Sequence, residues 1–261
     1  MSTPVLESKG LTIRFGGHAA VNDVSCAFHA GSLTAIVGPN GAGKTTYFNL
    51  LSGQLPATAG SVLLDGEDVT RTSTAQRARR GIGRAFQITN LFPNLTVAEN
   101  VRLAVQARAP AAASLWTRWD HHADWIDRAE QYLGEVNLRD KRDTAAAALS
   151  HGDKRKLEVA LMMALEPHVY MFDEPTAGMS VDEVPVVLDL IKRLKSGGDK
   201  TILLVEHKMD VVRSLADRIV VLHNGQLVAD GDPETVIASP IVQEAYLGVM
   251  PGDARNGEAV S

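Results

Sequence analysis

Between residues 38 and 45 the chain reads Gly38-Pro39-Asn40-Gly41-Ala42-Gly43-Lys44-Thr45, the spacing G-x-x-x-x-G-K-T. Residues of these types can hold a chain of phosphates. Glycines let successive backbone N–H groups turn inward around an anion, and a helix starting directly behind them adds its positive dipole end. The Lys44 ammonium reaches the β- and γ-phosphates, while the Thr45 hydroxyl serves as a ligand for Mg2+. Such a motif has meaning only with a strand before it and a helix after it. Leu33-Thr34-Ala35-Ile36-Val37 reads as that strand, and the run from Thr45 and Thr46 to Leu51 reads as that helix. The stretch implies binding of a nucleoside triphosphate.

A second stretch carries complementary chemistry. Val169-Tyr170-Met171-Phe172 is an apolar strand ending in Asp173-Glu174. A strand-end aspartate is placed to hold Mg2+ through a water, and the glutamate after it can act as general base on an attacking water. Upstream, Ser150-x-x-Asp153 has the spacing of a capping box, with Asp where Glu is usual. A capped helix start is also an anion site. Because the glycine-rich loop already holds one phosphate chain, this one needs a phosphate from elsewhere.

The surrounding elements must position these groups. Val5-Leu6-Glu7, Leu11 to Phe15 and Val21 to Phe28 read as short strands around Gly16-Gly17, and Ser61 to Leu64 as another before the Asp65-Gly66 turn. They predict an antiparallel β-layer wrapped around the phosphate-loop strand. From Ala98 to about Asp140 the pattern is helical. Apolar strands at Val169–Phe172, Thr201–Val205 and Ile219–Leu222 then alternate with helices, which predicts a parallel sheet in an α/β core. Asn224-Gly225 predicts a hairpin.

Totals narrow the class. At 261 residues, 45% apolar and 22% charged, the chain has the composition of an ordinary globular protein. A formal charge of −5 argues against a nucleic-acid binder working by bulk phosphate attraction. Cys26 is the single cysteine, so no internal disulfide forms and a reducing compartment fits. No apolar run has the length of a membrane span and no export signal is visible at the N-terminus, which predicts a cytoplasmic location.

With these motifs in hand, the sequence resembles the ATP-binding subunits of ABC transporters from Val5 to about Gly248. The phosphate loop, Ala85-Phe86-Gln87, Leu149-Ser150-His151-Gly152, Asp173-Glu174 and Glu206-His207 come in the family's order. The resemblance implies an ATPase with ATP and Mg2+ as ligands. Its expected fold is a P-loop ATPase core with a parallel sheet, an N-terminal antiparallel β-layer and a helical subdomain, about 98–160, inside a domain spanning 1–250. A disordered tail is expected over 251–261. The resemblance also implies residue roles. Gln87 would lie near Mg2+ and the attacking water, His207 would bond the γ-phosphate and orient the Glu174–water pair, and Phe15 would stack on adenine, the alternative for its ring being the core of the β-layer. Ser150 and Gly152 would contact the nucleotide of a second ATP-binding subunit, itself a copy of this chain or a paralogue. Integral-membrane permease subunits would be the main partners, a substrate-binding protein an indirect one, with the chain peripheral on the cytoplasmic face of the membrane. The loop 87–92 would meet a cytoplasmic helix of the permease, with Leu91 and Phe92 as apolar anchors.

Several positions depart from the family pattern. His151 stands in place of a usual Gly, Asp153 in place of Gln, and Ser180 in place of the Asp many members carry. Lys154, Arg155 and Lys156 keep the signature region positive. Ser180-x-x-Glu183 reads as a further capping box, and Arg139 to Asp143 as a solvated linker. Trp116, Trp119 and Trp125 share one window and read as the core of a small helical region more readily than as a docking surface. Phe15-Gly16-Gly17-His18, the signature, Ala177-Gly178-Met179 and Tyr246-Leu247-Gly248 resemble the importers of branched-chain amino acids and, in close relatives, of urea and short amides. A soluble ABC ATPase acting on nucleic acid or ribosomes fits less well, since the chain has one phosphate loop and no sustained heptads.

Overall fold

The structure is a computed structural model that describes residues 3–85, 91–108, 123–240 and 242. In chain order the elements are β1 (Leu6–Phe15), β2 (His18–Phe28), β3 (Leu33–Val37), α1 (Lys44–Ser52), β4 (Ala59–Leu64), β5 (Glu67–Asp68), α2 (Thr74–Arg79) and β6 (Ile82–Ala85). They continue with α3 (Val97–Arg108), α4 (Ala123–Glu135), α5 (His151–Leu165), β7 (Val169–Asp173) and α6 (Val184–Ser196). The last are β8 (Thr201–Val205), α7 (Met209–Leu215), β9 (Arg218–His223), β10 (Gln226–Gly231) and α8 (Pro233–Ala238). Two compact units result, one from Met1–Arg79 with Thr201–Ser261, the other from Arg80–Lys200.

In the first unit β2, β1, β4 and β5 form an antiparallel sheet, in that order. Alternating buried and exposed positions along β1 and β2 give this layer one apolar face. Cys26 is one of the buried positions on β2, and burial pushes its thiol up to about 12. A separate layer contains β3, parallel to both β8 and β9, with β10 antiparallel to β9. All five residues of β3 and all five of β8 are buried, the continuous apolar run expected of parallel strands covered on both faces. Asn224 at φ 47 and Gly225 at φ 76 turn β9 into β10, the pair of left-handed conformations a two-residue hairpin needs. The β2 backbone meets this turn, with Asn22 N donating to Gly225 O at 2.8 Å.

In the second unit β6 and β7 pair in parallel, Ile82 opposite Val169 through Ala85 opposite Phe172. The helical stretch expected from Ala98 includes α3 and α4. Helix α3 starts with a full capping box: Thr96 Oγ1 accepts from Glu99 N at 3.1 Å, and the Glu99 carboxylate accepts from Thr96 N at 2.8 Å. Trp125, Ala129 and Leu133 form the buried stripe of α4 at i, i+4, i+8, so Trp125 belongs to the core. Trp116 and Trp119 lie outside the described residues, as does the tail 251–261.

Two local readings need correction. Helix α6 begins at Val184 with Glu183 as its N-cap, so the full capping box expected at Ser180 does not form and only its return half is present. Pro185 belongs in the first turn, which sets the start there. Ser180 instead donates from N and Oγ to the Glu183 carboxylate at 3.2 and 3.0 Å. The run from Arg139 to Asp143 is not merely solvated: Lys141 binds the Asp153 carboxylate and Arg142 binds Glu130 at 2.7 Å.

Candidate nucleotide site

Strand β3 ends at Val37 and α1 begins at Lys44, so the glycine-rich run is the turn between a buried strand and a helix. Gly43, at φ 96, is the N-cap of α1, and no side chain caps this helix. The first-turn amides of a helix have no intrahelical acceptor, so an uncapped start suits an anion. A methyl at Gly43 would lie 2.4 Å from Ala20 O, so the loop sits too close to β2 for any side chain there. Lys44 is buried, and its Nζ donates to Gly38 O at 2.7 Å and Pro39 O at 2.9 Å. These bonds hold the cation against the loop that would wrap the phosphates. Asn40 and Gly41 at the tip are exposed, Ala42 is buried, and Thr45 and Thr46 are half-buried.

His207 belongs to the same unit. Ile36 on β3 lies opposite Val205 on β8, so both strands end together and the phosphate loop and His207 share the C-terminal edge of the parallel strands. Ligands of open α/β sheets bind at that edge. Glu206 is 3% exposed and its carboxylate accepts from His207 N at 2.9 Å and Lys208 N at 3.3 Å, which fixes the turn and leaves His207 exposed. Phe15, at the end of β1, is 53% exposed and therefore not a core residue of the β-layer.

The second unit holds the acids and the signature. All five residues of β7 are buried, and Asp173 closes the strand at 3% exposure. Arg84 on β6 donates from Nη2 to Asp173 Oδ2 at 2.8 Å. Glu174 follows at φ 52, a left-handed conformation that costs a residue with a Cβ on the order of 1–2 kcal/mol. Such strain gathers at functional sites.

Ser150 is the N-cap of α5, its Oγ accepting from Asp153 N at 3.1 Å. The Asp153 carboxylate turns instead to Lys141 and, at 3.1 Å, to Lys156. Burial alone would raise Asp153, but those cationic partners outweigh it and hold the carboxyl below its ordinary value. Arg155 pairs with Glu158 at 3.1 Å. Two of the three cations expected to keep this region positive are therefore matched by acids. Gly152 leaves room for a carboxylate: a methyl there would lie 2.0 Å from Glu183 Oε1, so that side chain would have to move aside. The His151 ring packs over Gly178, with Nε2 2.9 Å from where a Gly178 methyl would stand. The unusual histidine thus ties the signature turn to the 175–178 turn that comes after Glu174. Gln87 lies outside the described residues.

Among the described residues no cluster of three His, Cys, Asp or Glu could hold a metal. Mg2+ in nucleotide sites takes one or two protein oxygens and completes its shell with phosphate and water. The Asp173 carboxylate and the Thr45 hydroxyl are donors of the required hard-oxygen type.

Sequence reasoning missed three features of the second unit and one of the first. Arg84 went unnoticed, although a cation inside a buried strand demands a partner. The Thr96-x-x-Glu99 box has the same spacing as those that were read. An apolar groove of about 470 Å³ is lined by Leu103, Ala104, Leu161, Met162 and Leu165, with Phe92 also on its wall. Phe92 is 56% exposed, as an anchor for a partner would be; Leu91 is half-buried and is not part of the lining. In the first unit, the Glu206 bonds to the His207 turn arise from no spacing rule.

Comparison with known proteins places this geometry. Residues 21–177 match the ABC transporter family model, and residues 226–250 match that of the branched-chain amino acid ATP-binding cassette transporter. The high-affinity branched-chain amino acid transport ATP-binding protein BraF of Pseudomonas aeruginosa is 39% identical, with 95% of this chain and 99% of BraF covered. Its counterpart LivG of Escherichia coli is 38% identical over the same shares. A solved ATP-binding cassette of an ABC transporter in its ADP conformation superposes with a TM-score of 0.80 at 28% identity, covering 95% of this chain and all of that one. The chain belongs to the ABC transporter family, as one of its ATP-binding subunits.

Proposed function

We propose that this subunit hydrolyses ATP to drive import of branched-chain amino acids through membrane permease subunits. The observation that carries the substrate class is the likeness to two branched-chain amino acid transport ATPases along 95% of the chain. Backbone N–H groups of residues 40–46, in a loop opened by Gly38, Gly41 and Gly43, bind the phosphates, and Lys44 adds charge where the γ-phosphate departs. The exposed ring of Phe15 takes the adenine face. Glu174 accepts the proton of the attacking water, and His207 bonds the γ-phosphate and keeps that pair in line. Thr45, Asp173 and Gln87 would hold Mg2+, which neutralises charge on the phosphates when bound.

Ser150 and Gly152 serve the nucleotide of a second ATP-binding subunit, a copy or a paralogue. The apolar groove beside Phe92 receives a cytoplasmic helix of the permease, which places the chain on the cytoplasmic face. Among the described residues no helix is long and apolar enough to cross a membrane, so attachment by docking suffices. A substrate-binding protein takes part only through the permease.

Uptake of radiolabelled leucine and urea by cells lacking this chain tests the substrate class. Loss of leucine uptake with urea uptake intact is expected. Loss of urea uptake alone would move the assignment to the urea and amide importers.

A further inference from the structure

Arg84 is a cation inside a strand, between the buried residues Gly83 and Ala85. An arginine so placed needs a carboxylate or a set of carbonyls, because an uncompensated buried charge is costly. It meets Asp173, with side chains 8% and 3% exposed. The strand register explains the reach: Arg84 lies opposite Met171, so its long side chain runs forward along β7 to the final residue. The same residue forms part of the groove wall beside Met162. Its position is therefore set by packing as well as by charge.

We infer that Arg84 is a positioning residue for Asp173: it holds Oδ2 and thereby fixes the direction in which the carboxylate presents Oδ1. This rests on the proposed role of Asp173 toward Mg2+. A carboxylate that must form one bond to the hydration shell of a cation loses affinity if it rotates freely. One charge-assisted bond removes that rotation before the cation arrives. The sign separates this role from simple charge balance. An arginine that only neutralised Asp173 would compete with a divalent cation, and removing it would tighten cation binding. An arginine that aims Asp173 has the opposite effect.

The test is titration of Mn2+, read by electron paramagnetic resonance, against the whole chain saturated with a non-hydrolysable ATP analogue. Arg84→Gln should weaken Mn2+ binding about tenfold, the lower end of what losing a residue that orients a metal ligand costs. Arg84→Lys, which keeps the charge without the planar fork, should weaken it about threefold. It serves as the reading if the Gln variant does not fold. In an Asp173→Asn background, Arg84→Gln should change nothing further, since the effect passes through the carboxylate. If Asp173→Asn weakens Mn2+ binding while both Arg84 variants leave it unchanged or tighter, the inference fails and the role of Asp173 stands. An additive effect of Arg84→Gln in the Asn background also overturns it. If Asp173→Asn leaves Mn2+ binding unchanged, the Asp173 reading and the inference fall together.

Discussion

Helix α1 carries Lys44 at its start, and its far end depends on one buried side chain. Arg77 on α2 is 2% exposed and donates from Nη1 to Leu50 O and Leu51 O, each at 2.7 Å, and from Nη2 to Thr70 O at 2.9 Å. Arg77→Met keeps most of the stem and removes these three bonds and a fourth, from Nε to Thr72 Oγ1 at 3.3 Å. Leu50 O retains Gly53 N at 3.2 Å, which leaves Leu51 O and Thr70 O without a donor. Each stranded carbonyl costs about 1–3 kcal/mol, and the methionine fills the stem volume, so the net loss should be about 3 kcal/mol. For a chain of this size that corresponds to a fall in Tm of roughly 6–12 °C. Thermal unfolding tracked by circular dichroism without nucleotide, repeated with saturating ATP, measures it. ATP should raise the Tm of both proteins, because the Lys44 end of the helix is unchanged. A Tm within about 2 °C of wild type would refute the reasoning that Arg77 closes α1.

Lys44→Ala should weaken ATP binding about 10- to 100-fold, as measured by isothermal titration, since it deletes a charge-assisted contact to the phosphates. Phe92→Asp should abolish co-purification with membrane subunits while leaving ATP affinity of the isolated chain intact; normal assembly would place the interface away from the groove. Lys141→Met removes a partner of Asp153. That carboxyl lies below its ordinary 3.8 in the folded chain, so its contribution to stability is present above pH 3.8 and is lost as pH falls below it. Denaturant unfolding should therefore show the variant less stable than wild type at pH 7, with the gap closing as pH falls below 3.8.

Much of the nucleotide site was legible because its signals are local. The phosphate loop is set by the spacing within residues 38–45, and β8 runs from Thr201 to Val205 as its apolar run predicts. Asn224-Gly225 needs only two left-handed residues, and it has them. Where a motif depends on residues downstream, the reading slipped: Ser180-x-x-Glu183 has the right spacing, but Pro185 moves the helix start beyond it. Contacts distant in sequence were not legible at all. Arg84 and Asp173 are 89 residues apart, and no periodicity joins them. Lys141 looked like part of a solvated run because its partner, Asp153, is defined only once α5 is folded. The groove is likewise a product of packing between β6, α3 and α5; the sequence marked Phe92 and Ala85 on its wall but gave no sign that they line one cavity.

Glu174 is assigned the base of ATP hydrolysis, and that hydrolysis the drive for import of branched-chain amino acids. Uptake of radiolabelled leucine into vesicles reconstituted with the complex purified from native membranes, with ATP supplied at the face bearing this chain, tests both directly. Wild type should accumulate leucine while hydrolysing ATP. Glu174→Gln should bind ATP with unchanged affinity, lose hydrolysis by roughly two to four orders of magnitude, and accumulate none. Undiminished uptake by the Glu174→Gln complex would contradict this coupling.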